Sequence, residues 1–175
     1  MKKNFALIAL IAVPLLAGCG ASSGASAPAS SGAAAAAPVA EAPKAAEPTV
    51  GTPFTADMGS GNVAKITIVS AKFVDAISTQ SFAPKPKTGK FLQMDVLWET
   101  EKGTTSANFM YFNAKDADGR KADMALFGEG PLGSGEVVAG DKMRGFVSFD
   151  VAPGPITVTV TNPGLQTVAT IKIAP

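Results

Sequence analysis

The sequence predicts an all-β fold, an antiparallel β-sandwich of about seven strands in residues 54–175. Three observations support this prediction. Apolar and polar residues alternate in several short runs, which is the pattern of half-buried strands. Clusters of Gly, Pro, Asn and Asp separate these runs and suit short connections. Outside the first 18 residues, no window has a helical period sustained over ten or more residues.

The clearest strands are recognised by their two-residue period. In the run 91–98, Leu92, Met94, Val96 and Trp98 fall on one face, so we expect Trp98 in the core. The run 156–161 alternates strictly and is followed by Asn162-Pro163-Gly164, which predicts a terminal hairpin. The predicted strands are 65–73, 91–98, 109–114, 145–151, 156–161 and 168–173.

Residues 1–18 have the features of a secretory leader. Lys2 and Lys3 precede the apolar run 5–16, which as a helix would rise about 18 Å, well short of the roughly 30 Å hydrocarbon core of a bilayer. The run ends in Leu16-Ala17-Gly18-Cys19, which resembles the lipobox of bacterial lipoproteins. That resemblance implies a diacylglyceryl group on Cys19 and cleavage before it. An ordinary cleaved signal with an incidental cysteine is the alternative.

Residues 19–53 are predicted to form a disordered linker. The segment consists mainly of Ala, Ser, Gly and Pro and lacks large apolar side chains to offset the entropy of ordering. Two acyl chains on Cys19 would give a stable anchor. We therefore expect a domain tethered to the extracytoplasmic face of a bacterial membrane, with the choice between inner and outer membrane left open.

Four segments of the predicted domain resemble a known family. Residues 88–96 read TGKFLQMDV and residues 112–119 read FNAKDADG; residues 132–140 and 145–151 follow in the same order. These segments are similar to those of a bacterial domain of unknown function, akin to the mycobacterial immunoprotective extracellular antigen. The resemblance implies an immunoglobulin-like sandwich of secreted and lipid-anchored proteins, with no established catalytic residues. Ala139-Gly140 departs from the Pro-Gly that is usual in the family.

Composition excludes several kinds of chemistry. The chain has no histidine, so catalysis by Ser-His or Cys-His pairs and histidine metal sites are excluded. The single cysteine is assigned to the lipid. Loss of Lys2 and Lys3 would lower the net charge from +1 to about −1, which gives no argument for a nucleic-acid partner. We expect a protein that is not an enzyme and has no cofactor.

Two acidic pairs are candidate sites. Asp116, Asp118 and Gly119 open like a calcium loop, but the glutamate that such a loop needs is missing, so a turn is the favoured interpretation and weak calcium binding the alternative. Glu99 and Glu101 could share a strand face like paired glycosidase carboxylates, but acidic residues at a strand end are ordinary.

Candidate binding residues lie in two predicted loops, 75–90 and 124–140. The first holds the only basic cluster, Lys85, Lys87 and Lys90, which either blunts a sheet edge or contacts an acidic partner. Phe82 and Phe127 are loop aromatics, which either pack under the loops or bind a ligand.

The methionines are read as core filler rather than as a copper site. The leading hypothesis is a lipid-anchored binding protein with an envelope or extracellular protein partner. The alternatives are a tethered carrier of a small ligand or metal and, less favoured, a hydrolase.

Overall fold

The structure, a computed structural model, describes residues 47–175. These residues form ten strands and one 3₁₀ turn, Phe109–Tyr111. The strands are β1 (Phe54–Gly59), β2 (Asn62–Val74), β3 (Lys90–Lys102), β4 (Thr104–Ala107), β5 (Phe112–Lys115), β6 (Asp123–Met124), β7 (Gly135–Val138), β8 (Lys142–Val151), β9 (Ile156–Thr161) and β10 (Thr167–Ile173). Over the same residues, no helix has the length and apolar character needed to span a membrane.

The strands assemble into three sheets in which every named pair of strands is antiparallel. The largest sheet has the order β1-β2-β3-β8-β6, the second has the order β10-β9-β5, and β4 pairs with β7. This arrangement is the predicted antiparallel β-sandwich. The terminal hairpin is also confirmed, because Ile156 of β9 pairs with Ile173 of β10.

The core lies between the inward faces of the two larger sheets. Leu92, Met94, Val96 and Trp98 of β3 are all fully buried, as their alternation predicts. Apolar residues of β9 belong to the same buried cluster from the second sheet, among them Val158. One continuous core therefore joins the two layers, and its burial is the main source of stability.

Two features of the secondary structure differ from the prediction. The segment 109–114 does not begin as a strand, because the Asn108 side chain accepts a 2.9 Å hydrogen bond from the Met110 N–H and caps a 3₁₀ turn. Strand pairing begins only at Phe112. Four short strands, β1, β4, β6 and β7, were not among the predicted segments, so the count rises from about seven to ten.

The chain before β1 lies against the domain. The Gly51 N–H donates a 2.8 Å hydrogen bond to the Ile68 carbonyl of β2. Glu47 lies 4.0 Å from the Lys172 ammonium of β10. The final residues of the segment assigned to the linker, 47–53, thus contact both larger sheets. The predicted leader 1–18, Cys19 and the rest of the linker lie outside the described residues.

Candidate functional site

The loop between β2 and β3, residues 75–89, folds back across the outer face of the five-stranded sheet. Ile77 of this loop and Phe91 at the start of β3 are buried, yet neither belongs to the main core cluster. Ser148 and Asp150 alternate with the inward residues of β8, a pattern that predicts outward-facing side chains, yet both residues are buried. Residues 75–89, called here the covering loop, account for the burial of Asp150, whose carboxylate they bind, while Ser148 lies beside the loop that follows β6.

Asp150 fixes one end of the covering loop. Its carboxylate accepts hydrogen bonds from the backbone N–H of Lys87 at 2.6 Å, from that of Thr88 at 3.0 Å, and from the Thr88 hydroxyl. Burial by itself would raise the pKa of Asp150. The hydrogen bonds from Thr88 and Lys87 outweigh burial and hold that pKa below its usual value.

Glu129 joins the covering loop to the loop that follows β6. Its Oε1 accepts hydrogen bonds of 2.7 Å from both the backbone N–H and the hydroxyl of Thr79, and a 3.4 Å bond from the Ser78 hydroxyl. The Glu129 N–H donates to the Ile77 carbonyl at 2.9 Å. The Thr79 backbone bond is the main reason that the pKa of Glu129 is lowered. A single carboxylate therefore links the two loops.

An open groove of about 650 Å³, called here the loop groove, lies between the two linked loops. Three large apolar side chains on its walls are unusually exposed, with Phe82 83% accessible, Phe127 74% and Leu126 56%. Its other lining residues include Gln80, Pro84 and Glu129. Exposed apolar side chains that converge in a concavity are typical of binding sites. The groove can hold an apolar group.

The predicted site residues divide between the groove and its surroundings. Phe82 and Phe127 are brought together in the loop groove, although they are 45 positions apart in the sequence. The three lysines are not among its lining residues. Lys90 forms a 2.6 Å ion pair with Asp75, while Lys85 and Lys87 are exposed on the same loop.

The acidic pair Asp116 and Asp118 belongs to a tight turn. The Arg120 guanidinium lies 2.6 Å from the Asp118 carboxylate and 3.8 Å from that of Asp116. Asp116 also accepts hydrogen bonds from the backbone N–H groups of Asp118 and Arg120. Gly119 has a φ of +79°, the left-handed geometry that this turn requires. The geometry matches the turn interpretation, and residues 47–175 contain no group of three or more potential metal ligands.

The other candidates occupy structural positions. Glu99 forms a 3.2 Å ion pair with Lys65 on the neighbouring strand. Met94 is fully buried among the core residues, and Trp98 is fully buried as well. Glu101 is exposed near the end of β3.

Sequence reasoning missed Leu126, Glu129 and Thr79 as residues of this site. Leu126 and Glu129 flank Phe127-Gly128 in the second loop, and two adjacent large apolar residues in a Gly-rich loop were the available signal. The Thr79 contact spans 50 positions of sequence and leaves no local signature.

The fold is shared with solved structures of bacterial proteins. The Bacillus subtilis yjhA protein superposes with a TM-score of 0.55 at 17% identity, over 72% of this chain and 98% of that one. The secreted protein MPT63 from Mycobacterium tuberculosis gives 0.54 at 18% identity, over 75% and 100%. The Bacillus subtilis protein ycdA, a proposed lipoprotein, gives 0.54 at 16% identity over 70% of this chain.

This chain spans 38% of the length of ycdA. No protein-family model matches the chain, and no curated protein does. At these identities the likeness establishes the β-sandwich fold.

Proposed function

We propose that this chain is a lipid-anchored, non-enzymatic binding protein of the bacterial cell envelope, which uses the loop groove to hold a protein partner. The observation that carries the proposal is the convergence of Phe82, Leu126 and Phe127 in one concavity. Monomeric soluble proteins rarely leave such a patch uncovered without a use for it.

Lipid anchoring is supported by the sequence of the leader. The run Leu16-Ala17-Gly18-Cys19 follows an apolar segment of the length found in secretory signals. The likeness of the fold to a secreted protein and to a proposed lipoprotein agrees with an extracytoplasmic location. A diacylglyceryl group brings two acyl chains, and each buried methylene contributes about 0.8 kcal/mol to membrane binding.

The anchor and the groove are tested separately. Cys19→Ser should move the protein from the membrane fraction to the soluble fraction and remove the acyl mass from the processed chain. If the protein stays in the membrane fraction with an unchanged processed mass, anchoring through this cysteine is wrong.

Partner binding is tested by photocrosslinking on intact cells. A photoreactive residue placed at position 82 or 127 should trap the same defined neighbour. The matched control is position 138, because Val138 is 52% exposed on a different sheet. Equal crosslinking from all three positions, or none from the groove positions, would contradict the proposal.

A small-ligand carrier is the second candidate, and the size of the groove favours it. Ligand pockets typically measure about 300–1,000 Å³, and the loop groove measures about 650 Å³. A carrier should give a thermal shift with some member of a panel of metals, sugars and lipids. That shift should be lost in Phe82→Ser and kept in the control Leu165→Ser, which removes an exposed leucine from the β9–β10 turn.

A further inference from the structure

The loop groove is one part of a larger apolar surface centred on Leu126. Two further depressions adjoin it, one of about 320 Å³ and one of about 400 Å³, and Leu126 lines all three. In residues 47–175, nine large apolar side chains are exposed. Five of them lie on this surface: Phe82, Met110, Leu126, Phe127 and Phe146. More than half of the exposed apolar side chains thus gather at one place.

This surface borders a sheet edge that is paired over only part of its length. β6 is the last strand of the five-stranded sheet and pairs only with β8. The Ala125 N–H continues that pairing with a 2.8 Å bond to the Ser148 carbonyl. On the side away from β8, the Ala122 N–H just before β6 donates to the Ala114 carbonyl of β5 at 2.9 Å, whereas the Leu126 N–H just after β6 has no hydrogen-bond acceptor among the described residues. The open part of a sheet edge is a template for another strand.

The third depression, called here the edge cleft, lies beside this edge. It is the depression of about 400 Å³, lined by Met124 and Leu126 on one side and by Phe109, Met110 and Phe112 on the other. Phe112 begins β5, the edge strand of the second sheet. The cleft is therefore a gap between the edges of the two sheets, with walls that are mainly apolar but include Lys121 and Asp123.

An extended peptide would fit both the open part of the sheet edge at β6 and the apolar depressions around Leu126. Its main chain can accept a hydrogen bond from the Leu126 N–H, and its alternate side chains can fill the apolar depressions. The hydrocarbon part of an acyl chain has no group that could accept that hydrogen bond. A flat bilayer surface would not fill concave depressions.

The charges at the edge cleft indicate the composition of such a peptide. Lys121 lines the cleft and lies directly opposite Lys115 in register. Neither lysine has a carboxylate within 4.0 Å in the described chain, whereas Arg120 between them is paired. Like charges placed opposite each other are destabilising, and a nearby acidic group relieves the repulsion. Asp123 is the one acidic side chain in the cleft.

We infer that the partner binds as an extended segment that adds a strand at β6, places an apolar side chain beside Leu126, and directs an acidic residue toward Lys115 and Lys121. The inference rests on the proposed function and specifies the form of the partner. It assigns the edge cleft, rather than the loop groove alone, as the centre of recognition.

The test uses a defined probe and the full chain carrying Cys19→Ser, so that no acyl chain of its own competes for the surface. The probe is a fluorescent peptide that alternates leucine and threonine and ends in glutamate. Two further versions carry N-methyl groups on alternate amides, one on the odd amides and one on the even amides. Strand addition predicts that one version loses at least about tenfold in affinity while the other keeps it, because only one set of amides faces β6.

Two protein variants test the side chains. Leu126→Ser should weaken peptide binding, while the matched control Leu165→Ser should leave it unchanged. Lys121→Glu should weaken binding of the glutamate peptide and strengthen binding of a version that ends in lysine.

Three results would overturn strand addition: equal effects of both methylated peptides, no binding of the parent peptide up to about 1 mM, or displacement of the peptide by phosphatidylglycerol vesicles. The last result would assign the surface to a membrane. If positions 82 and 127 still crosslink a defined protein in cells, the proposed function stands and only the strand-addition inference fails.

Discussion

The indole N–H of Trp98 donates a 2.8 Å hydrogen bond to the hydroxyl of Thr105. The Thr105 hydroxyl lies 2.6 Å from that of Thr100, which donates a 2.8 Å bond to the Val137 carbonyl. Because Thr100 gives its proton to a carbonyl, Thr105 must donate to Thr100. The buried indole is thereby connected through two threonines to β7, and β3, β4 and β7 share one polar chain inside the core.

Thr105→Val should therefore destabilise the domain. The substitution keeps the shape of the side chain but leaves the indole N–H buried without an acceptor, at a cost of about 1–3 kcal/mol. Denaturation in urea, followed by fluorescence, measures this cost, and Trp98 is the only tryptophan in the chain. Thr104→Val is the matched control, because Thr104 is exposed on the same strand. An equal loss in both variants would contradict the importance of the hydrogen bond.

Gly145 is predicted to tolerate no larger residue. A Cβ atom at this position of β8 would lie 2.5 Å from the backbone nitrogen of Leu132 and 2.6 Å from its Cα, so the segment that crosses β8 would have to move. Overpacking of this kind costs about 1–3 kcal/mol. The Leu132 N–H, which donates to the Phe146 carbonyl at 2.8 Å, should also exchange faster with solvent.

The control for this prediction is Gly133→Ala. A Cβ at Gly133 would meet only the Met143 sulfur at 3.4 Å, an ordinary contact with a flexible side chain. Its free energy of unfolding, measured in the same urea titration, should change by less than about 1 kcal/mol. A larger loss for Gly133→Ala than for Gly145→Ala would contradict this account of the crossing.

The long strands could be predicted from the sequence because their burial repeats every two residues. The faces of β3 and β9 follow this rule, and Trp98 lies in the core as the alternation predicts. Short strands contain too few residues to show a two-residue repeat of burial. β6 has two residues and β4 has four of Thr, Ser and Ala, so their pairing comes from the neighbouring chain rather than from local propensity.

The binding surface could be predicted only in part. The aromatic character of Phe82 and Phe127 marked two loops, but the groove between them depends on contacts such as that of Glu129 with Thr79, 50 positions away. Asp150 is a similar case. Its place in the alternation predicts an exposed carboxylate, and only the fold of residues 75–89 buries it. Long-range hydrogen bonds of this kind leave no pattern in a single sequence.

Asp150 should make the stability of the domain depend on pH. Hydrogen bonds from Thr88 and Lys87 hold its folded pKa below the unfolded value, which is about 3.9. A group of this kind stabilises the fold fully above its unfolded pKa, and the contribution is lost as pH falls through the folded pKa. Asp150→Asn should therefore lower the free energy of unfolding most at about pH 5–7, and the difference from the natural chain should shrink below about pH 4.

Urea titrations at several pH values measure this effect, with Asp141→Asn as an exposed control. Asp95 and Glu129 contribute pH dependence of the same sign to both chains. A hydrogen bond from Arg144 lowers the pKa of Asp95, and hydrogen bonds from Thr79 lower the pKa of Glu129. Because both chains carry Asp95 and Glu129, the difference between their free energies of unfolding excludes this contribution. A difference that stays constant down to pH 3 would show that Asp150 acts through packing rather than through its charge.

Glu129→Gln should loosen the loop groove without unfolding the domain. The carboxylate accepts three hydrogen bonds through one oxygen, and charge-assisted bonds are about twice as strong as neutral ones. An amide can still accept through its oxygen, but its NH₂ group is repelled if it turns toward the Thr79 N–H. Hydrogen exchange at Thr79 and its neighbours should therefore accelerate, while the strands keep their protection.

Glu136→Gln is the matched control for this last prediction, because Glu136 is exposed on β7 and forms no side-chain hydrogen bond or ion pair within the described chain. It should leave exchange in the loop at 75–89 unchanged. If the Glu129 side chain has no structural role, both variants will leave hydrogen exchange in residues 75–89 unchanged. If it links the loops, crosslinking from position 82 should fall in Glu129→Gln and persist in Glu136→Gln, since the groove holds a partner only while its two walls stay at a fixed distance.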